Sequence, residues 1–283
     1  MTTILTRATI TTLCLVALCS CGQGGSTGTL ESTGSPTSSP TPSGRLYQAC
    51  DGAHPLDKRM HEALSTSPSA TTAHVVATTA MKLPSLGDTN YQTTGDIDKT
   101  DAAHPKVRFV MSKPDHGTYQ PMAEVIAIDG ALYRKDAMTP GAKFVKTSGA
   151  ENKLGTDFGA LTDQARTMAA TKAVTHVMCL GREDRDGQRT AHLRVTLDTS
   201  KLEKVLPSSG TSAKSLGLPA TVDTESWIDE QDRTVATFMQ MSTSSFQYKQ
   251  TLSISNWGKP VSIAAPPATE VTTTTDHPSP SSR

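Results

Sequence analysis

The strongest constraint on the fold is an alternation of apolar and polar residues with a period of two, sustained over long segments and interrupted by turn residues. His74 to Leu83 sets Val75, Ala77, Thr79 and Met81 against His74, Thr78 and Lys82 before Pro84 to Asp88 breaks the pattern. Lys106 to Met111 sets Val107, Phe109 and Met111 against Lys106 and Arg108. Such a segment has one apolar and one polar face, as an antiparallel sheet with one wet side requires. Tyr119 to Ile128 runs into Asp129-Gly130 and returns through Ala131 to Lys135. A strand holding Val177 and Cys179 likewise runs into Asp186-Gly187 and returns through Ala191, Leu193, Val195 and Leu197. Asp-Gly is a favoured pair for a two-residue type I′ hairpin turn, in which both residues take positive φ. Thr221 to Asp229, Arg233 to Met241 and Phe246 to Asn256 read as three further strands.

Helical spacing is confined to a few places. Leu56, Met60, Ala63 and Leu64 share one face after Pro55; Phe158, Leu161, Ala165 and Met168 do so within Asp157 to Ala173. Ser200 to Leu206 is a short candidate, capped by Ser200 and ended by Pro207. These elements predict an α+β fold built on an antiparallel sheet of about ten strands. A sheet that wide must curl to bury its apolar face, leaving the helices to fill the concave side. The inward set then includes Val75, Ala77, Val107, Phe109, Met111, Leu193, Val195, Leu197, Leu252 and Ile254, and these are the candidate lining of any cavity. Lys106, Arg108, His192, Arg194, Lys249 and Ser253 look out.

Ahead of this region the chain carries an address. Arg7 and an apolar run from Ala8 to Leu18 have the layout of a secretory signal, and eleven residues are too few to span a bilayer core that takes about 20. Leu18-Cys19-Ser20-Cys21 resembles the lipobox of bacterial lipoproteins, which implies cleavage before Cys21 and a diacylglycerol on its thiol. Residues 1–20 are then the signal peptide, and two or three acyl chains suffice for stable anchoring. An ordinary secretory signal with a chance Cys is the competing reading. Residues 21–45 are Gly, Ser, Thr and Pro almost throughout, too poor in apolar groups to order. As a flexible coil, about 24 residues reach roughly 27 Å. Residues 46–267 form the folded domain, and 268–283 a disordered tail. With Cys14 and Cys19 removed and Cys21 lipidated, Cys50 and Cys179 remain. In an oxidising compartment an even remainder reads as one disulfide, the alternative being two independent thiols.

Several function classes lack support. The chain has 27 basic and 27 acidic residues, so there is no electrostatic footprint for nucleic acid. Gly24-Gly25-Ser26-Thr27-Gly28 fits G-x-S-x-G, but that motif requires a strand before and a helix after, and it stands inside the tether. No Walker loop, H-E-x-x-H or Ser-x-x-Lys is present, and the histidines, His54 and His61 included, lack metal spacing. Asp96, Asp98 and Asp101 depart from a calcium loop at Thr100 and at Asp101, where Gly is required. No catalytic group, metal site or cofactor is expected.

Four segments carry a likeness to a known family. They are Val125 to Lys135 with Asp129-Gly130, Gly181 to His192 with Asp186-Gly187, Trp227-Ile-Asp229-Glu-Gln-Asp-Arg233, and Asn256-Trp257-Gly258-Lys-Pro260-Val261 to Pro267. In order, and behind a lipobox, they resemble the actinobacterial LolA-like lipoproteins of the LppX/LprAFG group over roughly residues 70–267. The resemblance implies a half-barrel of about eleven antiparallel strands over helices, with an apolar cavity carrying lipid or lipoglycan acyl chains across the envelope. It implies a protein lipid-anchored at the outer face of the cytoplasmic membrane, with an envelope transporter as a candidate partner. The rival is a non-enzymatic interaction or regulatory module on the same fold with a filled core. Because tether and core are separate in sequence, Cys21→Ser is expected to abolish membrane retention while leaving the domain folded. Acyl labelling that persists in this variant refutes the lipidation site.

Overall fold

The structure, a computed structural model, describes residues 44–56, 71–83, 87–101, 104–148, 172–205, 217–244 and 247–273. Its strands are β1 (His54–Pro55), β2 (Thr72–Leu83), β3 (Gly87–Asp98), β4 (Lys106–Asp115), β5 (Thr118–Ile128), β6 (Ala131–Asp136), β7 (Phe144–Ser148), β8 (Val174–Arg185), β9 (Gln188–Asp198), β10 (Thr221–Asp229), β11 (Thr234–Ser242), β12 (Gln247–Ser255) and β13 (Val271–Thr273). Two short α-helices, α1 (Arg45–Ala49) and α2 (Thr199–Val205), and one 3₁₀ turn (Ala268–Glu270) complete the described elements. The strands form one sheet in the order β1-β8-β9-β10-β11-β12-β2-β3-β4-β5-β6-β7-β13. It is curled and unclosed, and antiparallel throughout except where β13 joins β7 in parallel. Two meanders, β2 to β7 and β8 to β12, become one sheet through the ladder that pairs Tyr248 with Met81 and Ile254 with Val75.

Local chemistry explains the turns. Asp129 and Gly130 have φ of 52° and 71°, and Asp186 and Gly187 have 53° and 77°, the left-handed pair of a type I′ turn. A third hairpin turn, His116-Gly117 at 45° and 85°, extends β4 and β5 beyond the alternating segment that ends at Met111. His is among the residues that enter this region more readily than most. Helix α2 begins at Thr199, and its cap is Asp198, whose Oδ1 accepts from the backbone N–H of Ser200 at 2.9 Å and of Lys201 at 3.1 Å. The hydrogen bond from the Ser200 hydroxyl, then that from the Lys201 amide, holds the Asp198 carboxyl below the usual range. The helix expected to start at Pro55 and Leu56 does not start there, because Pro55 lies in β1 and Leu56 is not helical. Its continuation from Met60 lies outside the described residues, as do residues 1–43 and the helix expected from Asp157 to Ala173, apart from its end at Ala173, which stands in a turn.

The expected count of about ten strands is corrected to thirteen among the described residues. The largest omission is β3, whose sequence GDTNYQTTGDID mixes strand-favouring Thr, Tyr and Ile with Gly, Asp and Asn, which strands disfavour. It forms because β2 and β4 pair with it on both edges, a tertiary condition that propensity does not register. Strands β1, β7 and β13 are short pieces of two to five residues. The ordered chain also continues beyond Pro267, where the tail was expected to begin, through a 3₁₀ turn at Ala268–Glu270 into β13.

One face of the sheet, here called inner, holds two apolar clusters. The first joins α1 to β8, β9, β10, β11 and the Met81–Tyr248 pair; the second centres on Val75, Val107, Phe109, Val125 and Ile254. A smaller outer cluster of Ile126, Ile128, Tyr133 and Phe144 is covered by Val261 and Ile263 as the C-terminal segment runs to β13. Gly95 of β3 faces the inner side, paired with Phe109. A Cβ there would lie 2.7 Å from Phe109 Cδ1 and 2.8 Å from Phe109 Cα, besides colliding with the Arg108 carbonyl oxygen. The bare glycine lets the Phe109 ring and the β4 backbone close on β3. Gly95→Val is expected to cost at least the 1 to 3 kcal/mol typical of overpacking. A denaturant midpoint shift under about 0.5 kcal/mol refutes this role.

Candidate functional site

Among the described residues the inner face carries the two largest apolar clusters. Its register brings the expected lining residues together in two groups. Leu193, Val195 and Leu197 of β9 lie in the first cluster, with α1 packed on them. Val75, Val107, Phe109, Met111 and Ile254 lie in the second, with Leu252 partly buried against it. Ala77, also buried, stands between the two. Lys106, Arg108, His192, Arg194, Lys249 and Ser253 all fall on the opposite face in the register.

Between the clusters runs a band that the alternation did not reveal. One row across the sheet reads Leu193, Ser226, Thr237, Leu252, Ala77, Thr93 and Met111; the next reads Val195, Thr224, Met239, Gln250, Thr79 and Tyr91. Small and polar side chains thus occupy the middle of the inner face. Gln250, 5% exposed, donates from Nε2 to the Thr79 hydroxyl at 3.2 Å, and the Thr224 hydroxyl donates to the Phe238 carbonyl at 3.1 Å. Thr237, Leu252 and Thr93 remain partly exposed although they lie on central strands, so the floor of the inner face is accessible there.

The first cluster is closed by α1, which three contacts hold in place. Cys50 and Cys179 are disulfide-bonded, with Cα atoms 5.4 Å apart. A 129-residue closure stabilises by at most about 5 kcal/mol in the chain-entropy model. Asp232, in the β10–β11 turn, accepts from the backbone N–H of Leu46 at 3.0 Å and of Tyr47 at 2.8 Å, capping the helix. Arg182 donates from its guanidinium to the carbonyls of Tyr47 and Gln48, at 3.0 and 2.9 Å, and lies 4.7 Å from the Tyr47 ring centroid. The turn is aimed by Asp229, 1% exposed, which accepts from the backbone N–H of Gln231 and Arg233 and from Arg233 Nε. The Asp229-to-Arg233 segment is therefore a latch for the start of the domain.

The outer face carries two polar constellations. Trp227 stacks on His192 with centroids 4.3 Å apart, has the Arg185 guanidinium 4.0 Å from its ring centroid, and donates from Nε1 to Glu183. Trp227 thus packs on the outer face, near the end of β10. Thr94 Oγ1, His74 and Asp96 stand in the order of a nucleophile, base and orienting acid, at 3.3 and 2.7 Å. Both β2 and β3 pair on both edges, which commits the surrounding backbone N–H groups to the ladders. The trio is a contact across the β2–β3 ladder, where His74 is paired with Asp96. Among the described residues no three His, Cys, Asp or Glu side chains are placed to hold a metal ion, and no helix is long and apolar enough to cross a membrane.

The family model for LppX_LprAFG lipoproteins matches residues 57–263. The chain belongs to this family. No curated protein matches it. Among solved structures, LprF from Mycobacterium bovis is 17% identical with a TM-score of 0.47, and the match covers 69% of this chain and 89% of that one. Lipoprotein LppX from Mycobacterium tuberculosis is 18% identical with a TM-score of 0.44, covering 69% and 90%. A LolA superfamily protein from Nitrosomonas europaea is 10% identical with a TM-score of 0.24, covering 66% and 86%.

The latch has a pH signature. Burial, opposed by the hydrogen bonds from Tyr47 and Leu46 and reinforced by the charge of Asp229, raises the Asp232 carboxyl above 3.8. The folded protein thus holds this proton into a range where the unfolded chain has released it. The resulting stabilisation is complete below about 3.8 and is lost as pH rises through the folded value. The melting temperature of the wild type should fall relative to that of Asp232→Asn across this window. Parallel profiles for the two proteins refute the shift.

Proposed function

We propose that this LppX_LprAFG lipoprotein is tethered outside the cytoplasm through Cys21 and holds a lipid or lipoglycan by its acyl chains against the inner face of the sheet. The observation that carries the reading is the accessible floor: Leu252, on a central inward-facing strand, is partly exposed between Thr237 and Thr93, with small Ala77 beside it. A closely packed core leaves no such surface. Acyl chains laid on this floor gain about 0.8 kcal/mol per buried methylene, which binds a long chain without any charged contact. Methionines on the same face, among them Met111, Met239 and Met241, adapt to chains of different shape. Val75, Val107, Phe109, Met111, Leu252 and Ile254 are proposed as the lining.

A second reading rests on α1. Because the helix fills the β8–β10 part of the inner face, Leu193, Val195 and Leu197 already have an intramolecular partner. An interaction or regulatory module with a filled core extends that filling to the whole face. The two readings diverge for Ala77→Trp. In the lipid reading the indole occupies space used by acyl chains, so lipid detected by native mass spectrometry of protein from its own membrane falls while the melting temperature changes little. In a filled core the same insertion costs about 1 to 3 kcal/mol or more, and no lipid is present in the parent protein.

A further inference from the structure

We propose that the Tyr47 hydroxyl recognises the polar end of the cargo, donating a hydrogen bond to an ester carbonyl oxygen of an acyl lipid, an inference that rests on the acyl-lipid reading above. Tyr47 is 1% exposed, and its hydroxyl is buried with no hydrogen-bond partner among the described residues. The rest of the residue is satisfied: its N–H is bound by Asp232, its carbonyl by Arg182, and its ring lies beside the Arg182 guanidinium. Only the phenol oxygen is stranded. Buried polar groups are almost always paired, and a phenylalanine ring would fill the same space without leaving a donor unmet.

The surroundings select the acceptor. Tyr47 shares its cluster with Leu193, Val195 and Met239, and a charged headgroup would lose its hydration there without repayment. A neutral carbonyl that enters attached to an apolar chain is the acceptor suited to such a place. The hydroxyl has no surface open to water, so the ligand oxygen enters by displacing a side chain. Met81, Met239 and Met241 of the same cluster are the flexible ones. The donor itself stays fixed, because the Cys50–Cys179 bond and Asp232 hold α1, so it loses little conformational freedom when the ligand arrives.

The test compares two neutral lipids, ester-linked dioleoylglycerol and its ether-linked dioleyl counterpart, which lacks both carbonyls. Each is titrated by native mass spectrometry against the full mature chain and its Tyr47→Phe variant in mild detergent. The wild type is expected to favour the ester lipid by roughly 2- to 12-fold, the worth of one neutral hydrogen bond. Tyr47→Phe should bind both lipids equally, with an unliganded melting temperature unchanged or raised. Retention of the preference in Tyr47→Phe overturns the proposal, as does a marked fall in its unliganded melting temperature, which would give the hydroxyl a structural partner. Equal binding of both lipids by the wild type overturns this inference alone. Binding of neither overturns the acyl-lipid reading and the inference together.

Discussion

Everything in this structure depends on the ladder between β2 and β12. It joins two meanders into one sheet by pairing residues about 170 positions apart, from Gln247 with Lys82 to Ser255 with His74. Side chains alternate between faces with every residue, so a slip of one position would turn Val75, Ala77 and Met81 outward and His74 and Lys82 inward. The penalty for that exchange is what specifies the register. Once it is set, the two apolar clusters share a face and the band containing Ala77, Thr79 and Gln250 falls between them.

A sheet so wide and open has two ends to secure, and the chain secures them differently. At the β8 end the short helix α1 is fixed by a covalent bond, by the Asp232 cap and by Arg182. At the β7 end the C-terminal segment turns at Asn256 and Gly258, both at positive φ, and is fastened to Thr72 by two hydrogen bonds. It then covers the outward Ile126 and Tyr133 with Val261 and Ile263 before adding β13 to the edge. Both terminal strands are short, and β1 pairs only with Met178 and Cys179 of β8.

The inner face is divided by these devices. Its β8–β10 part is closed by residues of the chain itself, and its central floor stays accessible at Leu252. The stranded hydroxyl of Tyr47 belongs to the closed part. Under the proposed function, one acyl lipid supplies both the apolar chain for the floor and the carbonyl for the helix.

Much of this was legible in the linear chain because it is local. Period-two alternation is a property of neighbouring residues, so the long strands and the inward set from Val75 to Ile254 could be read directly, as could the Asp129-Gly130 and Asp186-Gly187 turns. The pairing of Cys50 with Cys179 followed from counting cysteines. Strand β3 could not be read, because its polar residues are held by ladders on both sides rather than by their own preference. Nor could the roles of Asp232 and Arg182, which act on α1 from more than 130 residues away. The need for a glycine at position 95 is set by Phe109 of the neighbouring strand, which no local pattern records. The polar band and the unpaired hydroxyl of Tyr47 depend on which strands become neighbours. Sequence period determines the face on which a side chain lies, and only tertiary register decides what it meets there.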